Sequence, residues 1–249
     1  MKTNILICVA LLMANTVTTR TAATVAAPSN PFVLSAAQKD KLLADWPQLE
    51  RYRDQNAALP PPGKGERRVV FMGDSITDIW RGRSFFPGKH YINRGISGQT
   101  TGQMLIRFRA DVIALKPRVV VILGGTNDIA DNPGPYSLRM IEDNLTSMAE
   151  LARVNGIRVV LASVTPVNDV HFPLTSGRPT RKILALNAWI KAYAHHENFI
   201  YLDYYAALLG PHDMLKKGFS NDGIHPNPAG YAVMAPLAQQ AIDQALMNP

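Results

Sequence analysis

"FMGDSITDIW", residues 71–80, decides how the rest of the chain is read. An apolar, strand-like run breaks at Gly73-Asp74-Ser75 and resumes with helix-like character. A glycine turn at the end of a strand is one way to raise a serine hydroxyl at a sheet edge. It is also an ordinary strand-to-helix turn, in which Ser75 would serve only as a helix cap. The choice depends on what the surrounding chain supplies.

Outward from this stretch the pattern alternates. "RRVVFM" (67–72), "HYIN" (90–93), "RVVVILGG" (118–125), "IRVVLASV" (157–164) and "NFIYLD" (198–203) read as strands. Residues 100–115, 137–154, 180–196 and 227–247 read as helices between and after them. Short apolar, β-branched runs alternating with helices predict an α/β fold, a parallel sheet covered on both faces. In such sheets ligands bind outside the carboxyl ends of the strands. Ser75, "NRGISGQT" (93–100) and "GGTND" (124–128) all follow predicted strands, so they should gather along one rim.

A nucleophilic serine needs a base, and the base needs an orienting partner. "NDGIHPNPAGY" (221–231) supplies Asp222 and His225 three residues apart, on a turn before the last helix. That spacing lets a carboxylate reach the imidazole nitrogen that faces away from the serine, fixing the tautomer and stabilising the imidazolium. Alternatively, Asp222 caps a turn and His225 is a surface residue before Pro226. Acyl transfer also needs donors aimed at the developing oxyanion. The Gly98 N–H, the Asn127 side-chain amide and the Ser75 N–H are the candidates, although glycine and asparagine are also ordinary loop residues. Asp74, Asn93 and Asp128 read as loop-shaping residues.

These blocks resemble the SGNH, or GDSL-type, family of ester hydrolases. "GDSITD" is similar to its nucleophile block, "NRGISGQTT" and "GGTND" to its two oxyanion blocks, and "DGIHPN" to its Asp-x-x-His block. They occur in family order and span residues 73–227, with Ile76 where the family nickname has leucine. The resemblance implies a three-layer α/β/α sandwich around a flavodoxin-like five-stranded parallel sheet. It implies Ser75 as nucleophile, His225 as base and then acid, Asp222 as its orienter, and Ser75, Gly98 and Asn127 as the oxyanion hole. Within the family the expected substrate is a small-molecule or polysaccharide ester, foremost an acetyl ester of a carbohydrate. A lysophospholipase or a broad short-chain lipase/esterase is the rival reading. A non-catalytic carbohydrate-binding module would be expected to have lost Ser75, Asn127 or His225, and all three are present.

Composition sets the wider bounds. The 249 residues, 47% hydrophobic and 18% charged, suit one large domain and can bury a sizeable core. The formal charge is +7, but the basic residues are scattered, the tightest group being Lys64, Arg67 and Arg68. No nucleic-acid partner is expected from such a distribution. Residues 1–26 read as a secretory signal: Lys2, an apolar stretch from Ile5 to Ala14, then small residues between Ala22 and Ala27. The apolar stretch is too short for a stable membrane anchor. Its removal takes away Lys2 and Arg20 and leaves a charge of +5. Cys8, the single cysteine, falls inside it, so a secreted or periplasmic mature chain would have no disulfide. Residues 27–66 read as a helical lead-in broken at Pro47 and closed by the linker "PPPGKGE", and 67–249 as the hydrolase domain. Trp46, Leu49 and Tyr52 recur at helical spacing as a stripe to be packed on that domain. His195 and His196 are adjacent and do not share a helix face, and His90, His171 and His212 have no companions at ligand spacing. "GISGQTTG" lacks the Gly-Lys-Ser/Thr ending of a phosphate loop. No metal and no organic cofactor is expected.

Overall fold

The computed structural model describes residues 35–80, 86–89, 91–132 and 134–247. The signal-peptide reading, Cys8 and His90 therefore lie outside the described residues. The chain falls into two compact units, Met1–Lys39 and Asp40–Pro249, and the site belongs to the second.

The elements follow in the order α1 (Ala36–Ala44), α2 (Arg53–Ala57), β1 (Val69–Gly73), α3 (Ser75–Ile79), β2 (Ile92–Gly95), α4 (Thr101–Asp111), β3 (Val119–Leu123), α5 (Thr126–Ile129), α6 (Leu138–Val154), β4 (Arg158–Ala162), α7 (Leu174–Gly177), α8 (Thr180–His196), β5 (Ile200–Leu202), α9 (Tyr204–Leu208) and α10 (Pro228–Met247). The five strands form one sheet in the order β2-β1-β3-β4-β5, every pair parallel. β1 and β3 are buried along their whole length, which is why their sequences are continuous apolar runs rather than alternating ones. Val70, Met72, Val120 and Ile122 face one layer of helices, where Phe108 of α4, Ile141 of α6 and Leu186 of α8 meet them. Phe71, Val121 and Leu123 face the other, with Ile76 of α3, Leu208 of α9 and Met234 of α10. This is the expected three-layer arrangement.

The strand order reverses between β1 and its two neighbours, β2 and β3, and a crevice opens at such a switch point. Gly73, Gly95 and Leu123 lie at one level across these strands. Their closeness depends on missing side chains. A Cβ on Gly95 would stand 2.1 Å from the Asp78 nitrogen, so only glycine lets α3 lie this tightly on β2.

The predicted elements shift at their ends. The first strand begins at Val69, and Arg68 before it turns its guanidinium to the carbonyls of Pro60 and Leu115 and to Glu66. The last shortens to Ile200–Leu202 because Asn198, at φ 57°, ends α8 in the left-handed region. Helix 100–115 stops at Asp111 and continues as a 3-10 turn, Ile113–Leu115. The stripe in the lead-in does not form as expected. Gln48 at φ 56° starts a 3-10 turn over Leu49–Tyr52, which breaks the helical spacing. Tyr52 is buried and donates to the Gly95 carbonyl, whereas Trp46 and Leu49 are exposed.

Candidate active site

β1 ends at Gly73, and Asp74, not Ser75, is the N-cap of α3: its carboxylate accepts from the Ile76 N–H at 2.9 Å. Ser75 is thereby the first residue of the helix, and its own N–H has no carbonyl one turn back to bond. The Ser75 Oγ lies 2.8 Å from the His225 Nε2. The other ring nitrogen, Nδ1, lies 2.6 Å from the Asp222 Oδ2. The three residues, 150 positions apart in sequence at the extreme, form one hydrogen-bonded line.

Asp222 is held from several sides. Its Oδ1 accepts from the Ile224 N–H at 3.0 Å, the His225 N–H at 2.8 Å and the Ser220 hydroxyl at 3.1 Å. Partial burial would raise its pKa, but the bonds from the His225 ring and from the His225 and Ile224 amides outweigh that and hold it down at about 2. At neutral pH it is a carboxylate. A loop after β4 braces this turn: the Asn168 N–H donates to the Gly223 carbonyl at 2.8 Å, and the Asn168 amide donates to the Leu215 carbonyl at 2.8 Å.

The two predicted oxyanion segments also meet. The Ile96 N–H donates to the Gly73 carbonyl at 3.0 Å, which brings the loop after β2 against the Ser75 turn. Gly98 sits at φ +81°, a conformation that side chains strain to adopt. Asp78 of α3 fixes the residue before it, accepting from the Ser97 N–H at 3.1 Å and the Ser97 hydroxyl at 2.7 Å. Asn127, in the first turn of α5, donates from its amide to the Gln99 carbonyl at 2.9 Å. An asparagine amide carries two N–H donors, so one fixes the plane while the second is left to serve a ligand.

The residues read as loop-shaping bond to the backbone of the loops and helix ends around them. The Asp128 carboxylate accepts from the Thr101 N–H at 3.0 Å and from its hydroxyl, capping α4 from outside, while burial pushes its pKa up. Asn93 donates to the carbonyls of Thr77 and Trp80 and accepts from the Gly95 N–H. Asp74 is fully buried. Loss of hydration raises its carboxyl to about 7, the nearby Asp128 charge adds to this, and the Ile76 bond and the Arg178 guanidinium only partly offset it. Sequence reasoning missed Asn168, Asp78 with Ser97, Gln99 and the buried Arg107. Polar residues in a loop or on a helix carry no sequence mark of burial. Among the described residues, no group of three or more His, Cys, Asp or Glu is placed to hold a metal ion, and no helix is long and apolar enough to cross a membrane.

Comparison with known proteins places the chain among acylhydrolases by sequence and by fold. Residues 71–233 match the sequence profile of the GDSL-like lipase/acylhydrolase family. The crystal structure of a GDSL-like lipase from Bacteroides thetaiotaomicron is 44% identical, with a TM-score of 0.75 over 81% of this chain and 100% of that one. An acetylxylan esterase of Geobacillus stearothermophilus is 25% identical over 70% of this chain and 92% of its own length. An uncharacterised lipoprotein of Bacillus subtilis, YqeF, is 31% identical over 42% of this chain, a match that spans about half (51%) of that protein.

Proposed function

The chain belongs to the GDSL-like lipase/acylhydrolase family, and from that premise we propose that it is a serine esterase working through an acyl-enzyme at Ser75, with short acyl esters of carbohydrates, acetyl esters first, as its substrates. The observation that carries the reading is the line Ser75–His225–Asp222, at 2.8 and 2.6 Å. In the first half-reaction His225 Nε2 takes the hydroxyl proton as Oγ attacks the ester carbonyl. The carbonyl π pair moves onto oxygen, where the N–H groups of Ser75 and Gly98 and the Asn127 amide receive it. The tetrahedral centre collapses, the C–O bond to the alcohol breaks, and the same nitrogen returns the proton to the leaving oxygen. Water then enters, gives its proton to His225, and releases the acid and the free Ser75 hydroxyl. Asp222, already ionised, holds the ring and balances the charge it carries in both halves.

The substrate class rests on likeness to the acetylxylan esterase, 25% identical over 92% of that protein. A signal peptide at residues 1–26 would send the protein to the periplasm or outside the cell, where polysaccharides lie, and the similarity to a lipoprotein is consistent with that route. The lipase designation of the Bacteroides thetaiotaomicron protein supports a second reading, a short-chain lipase or lysophospholipase. A series of p-nitrophenyl esters of increasing chain length, run beside acetylated xylan and a lysophospholipid, separates the two. Highest kcat/KM on acetate, with acetate released from the xylan, supports the first. Activity that rises with chain length, with turnover of the lysophospholipid, replaces it with the second.

A further inference from the structure

Arg107 lies on α4 with its side chain wholly out of contact with solvent. A buried guanidinium is expensive to desolvate, and a core position of this kind would be filled more cheaply by leucine or methionine. An ion pair with Asp111, one turn on, uses one arm: Nη1 donates to its Oδ2 at 2.9 Å. The other two arms leave α4 altogether. Nη2 donates to the Gly73 carbonyl at 3.0 Å, two residues before Ser75. Nε donates to the side-chain oxygen of Gln99, the residue that follows Gly98.

Gln99 is itself fully buried and is a junction. Its side-chain amide donates to the Pro47 carbonyl at 2.8 Å, and its backbone carbonyl accepts the Asn127 amide at 2.9 Å. The path therefore runs from the nucleophile turn, through one guanidinium, to the segment that carries Gly98, and on to Asn127. A planar fork with fixed donor directions can hold three acceptors in a set relation, while an ammonium on a flexible stem cannot.

We propose that Arg107 is a positioning residue for the oxyanion hole, holding the Gly98–Gln99 segment and, through Gln99, the Asn127 amide in register with the Ser75 turn. This rests on the esterase reading above. A positioning role matters because a displacement of about 1 Å from productive geometry can cost roughly 10² in rate.

The test compares wild type, Arg107→Lys, Asn127→Ala and the double variant on p-nitrophenyl acetate, with kcat expressed per site titrated by a serine-directed phosphonate. Arg107→Lys is expected to lower kcat by about 10- to 100-fold while KM changes by less than about threefold. In the Asn127→Ala background the same change should cost clearly less than in the wild-type background, since one of the two arms it supports is already gone and only the Gly98 N–H remains to be displaced. Equal losses in the two backgrounds, or an unchanged kcat per titrated site, overturn the proposal, because a residue that only supports the core lowers the folded fraction and not the turnover of what is folded. Should Arg107→Lys fail to fold, Gln99→Met removes the guanidinium's acceptor and keeps the backbone carbonyl. It is then expected to show the same kcat-selective loss that depends on Asn127, and a loss independent of Asn127 overturns the proposal. A wild type that hydrolyses no short ester and is not labelled at Ser75 overturns the esterase reading itself, whereas an active wild type with an indifferent Arg107 overturns this inference alone.

Discussion

Asp74→Asn should make the protein more resistant to unfolding at neutral pH than at pH 4, relative to wild type. Asp74 is 1% exposed, beside the Asp128 carboxylate, and burial lifts its carboxyl from 3.8 to about 7. In the unfolded chain it ionises near the ordinary value. Between the two values the native state holds a proton that the unfolded state has released, so wild-type stability falls as pH rises through this window. The stabilising contribution of the protonated acid is complete below about pH 4 and lost above about pH 7. A tenfold difference in proton affinity is worth about 1.4 kcal/mol, so the full excursion is about 4 kcal/mol. Asparagine does not titrate, and its side-chain oxygen can still cap the Ile76 N–H. Urea unfolding of both proteins at intervals from pH 4 to 8, analysed at constant m, gives the difference directly. Subtracting the curves removes the groups that titrate alike in both. The stability of Asp74→Asn relative to wild type is expected to rise by several kcal/mol across the window, most of it between pH 4 and 7. A difference that stays flat means that Asp74 ionises in the fold as it does in water, and the argument from burial fails.

Other outcomes follow from the same geometry. Asn127→Ala should lower kcat by roughly 10²–10³ with little change in KM, because the lost donor serves the oxyanion more than the ground-state carbonyl; a pure KM effect would move Asn127 to substrate positioning. Asp222→Asn keeps the shape of the turn but removes the carboxylate at Nδ1, and steady-state kinetics should show kcat down by about 10²–10⁴ with folding unchanged by circular dichroism. Gly95→Ala places a methyl group 2.1 Å from the Asp78 nitrogen, where backbone rather than a side-chain tip must yield, so thermal or urea unfolding should report a loss of about 1–3 kcal/mol.

What could be read in the sequence was what repeats or what clusters. β1, β3 and β4 announced themselves as β-branched runs because both faces of the sheet are covered, and α6 and α8 because each is long enough for its period to show. Their ends moved by a residue or two, as where the Asn198 backbone in the left-handed region closes α8 ahead of β5. The lead-in stripe failed for the same kind of reason, since Gln48 in the left-handed region breaks its helical spacing and leaves Leu49 exposed while Tyr52 is buried. At the candidate site, the residues predicted to act together do lie together, Ser75 on His225 and His225 on Asp222. The supports around them were not legible. Arg107 in "QMLIRFRAD" looks like a polar-face residue of an amphipathic helix, and only the docking of α4 beneath Gly73 and Gln99 makes it a buried fork. Asn168 in "TPVND" looks like any loop asparagine until its backbone meets Gly223.

The central claim is that the Ser75 hydroxyl becomes acylated and is then freed by water. Mass spectrometry of the wild-type protein, quenched during turnover of p-nitrophenyl acetate and digested, reads this directly. The account predicts a peptide carrying Ser75 that is heavier by one acetyl group, absent from Ser75→Ala, with ester hydrolysis by that folded variant reduced to background. Hydrolysis sustained by folded Ser75→Ala, or an acetyl group found on a different residue of an active wild type, would contradict it.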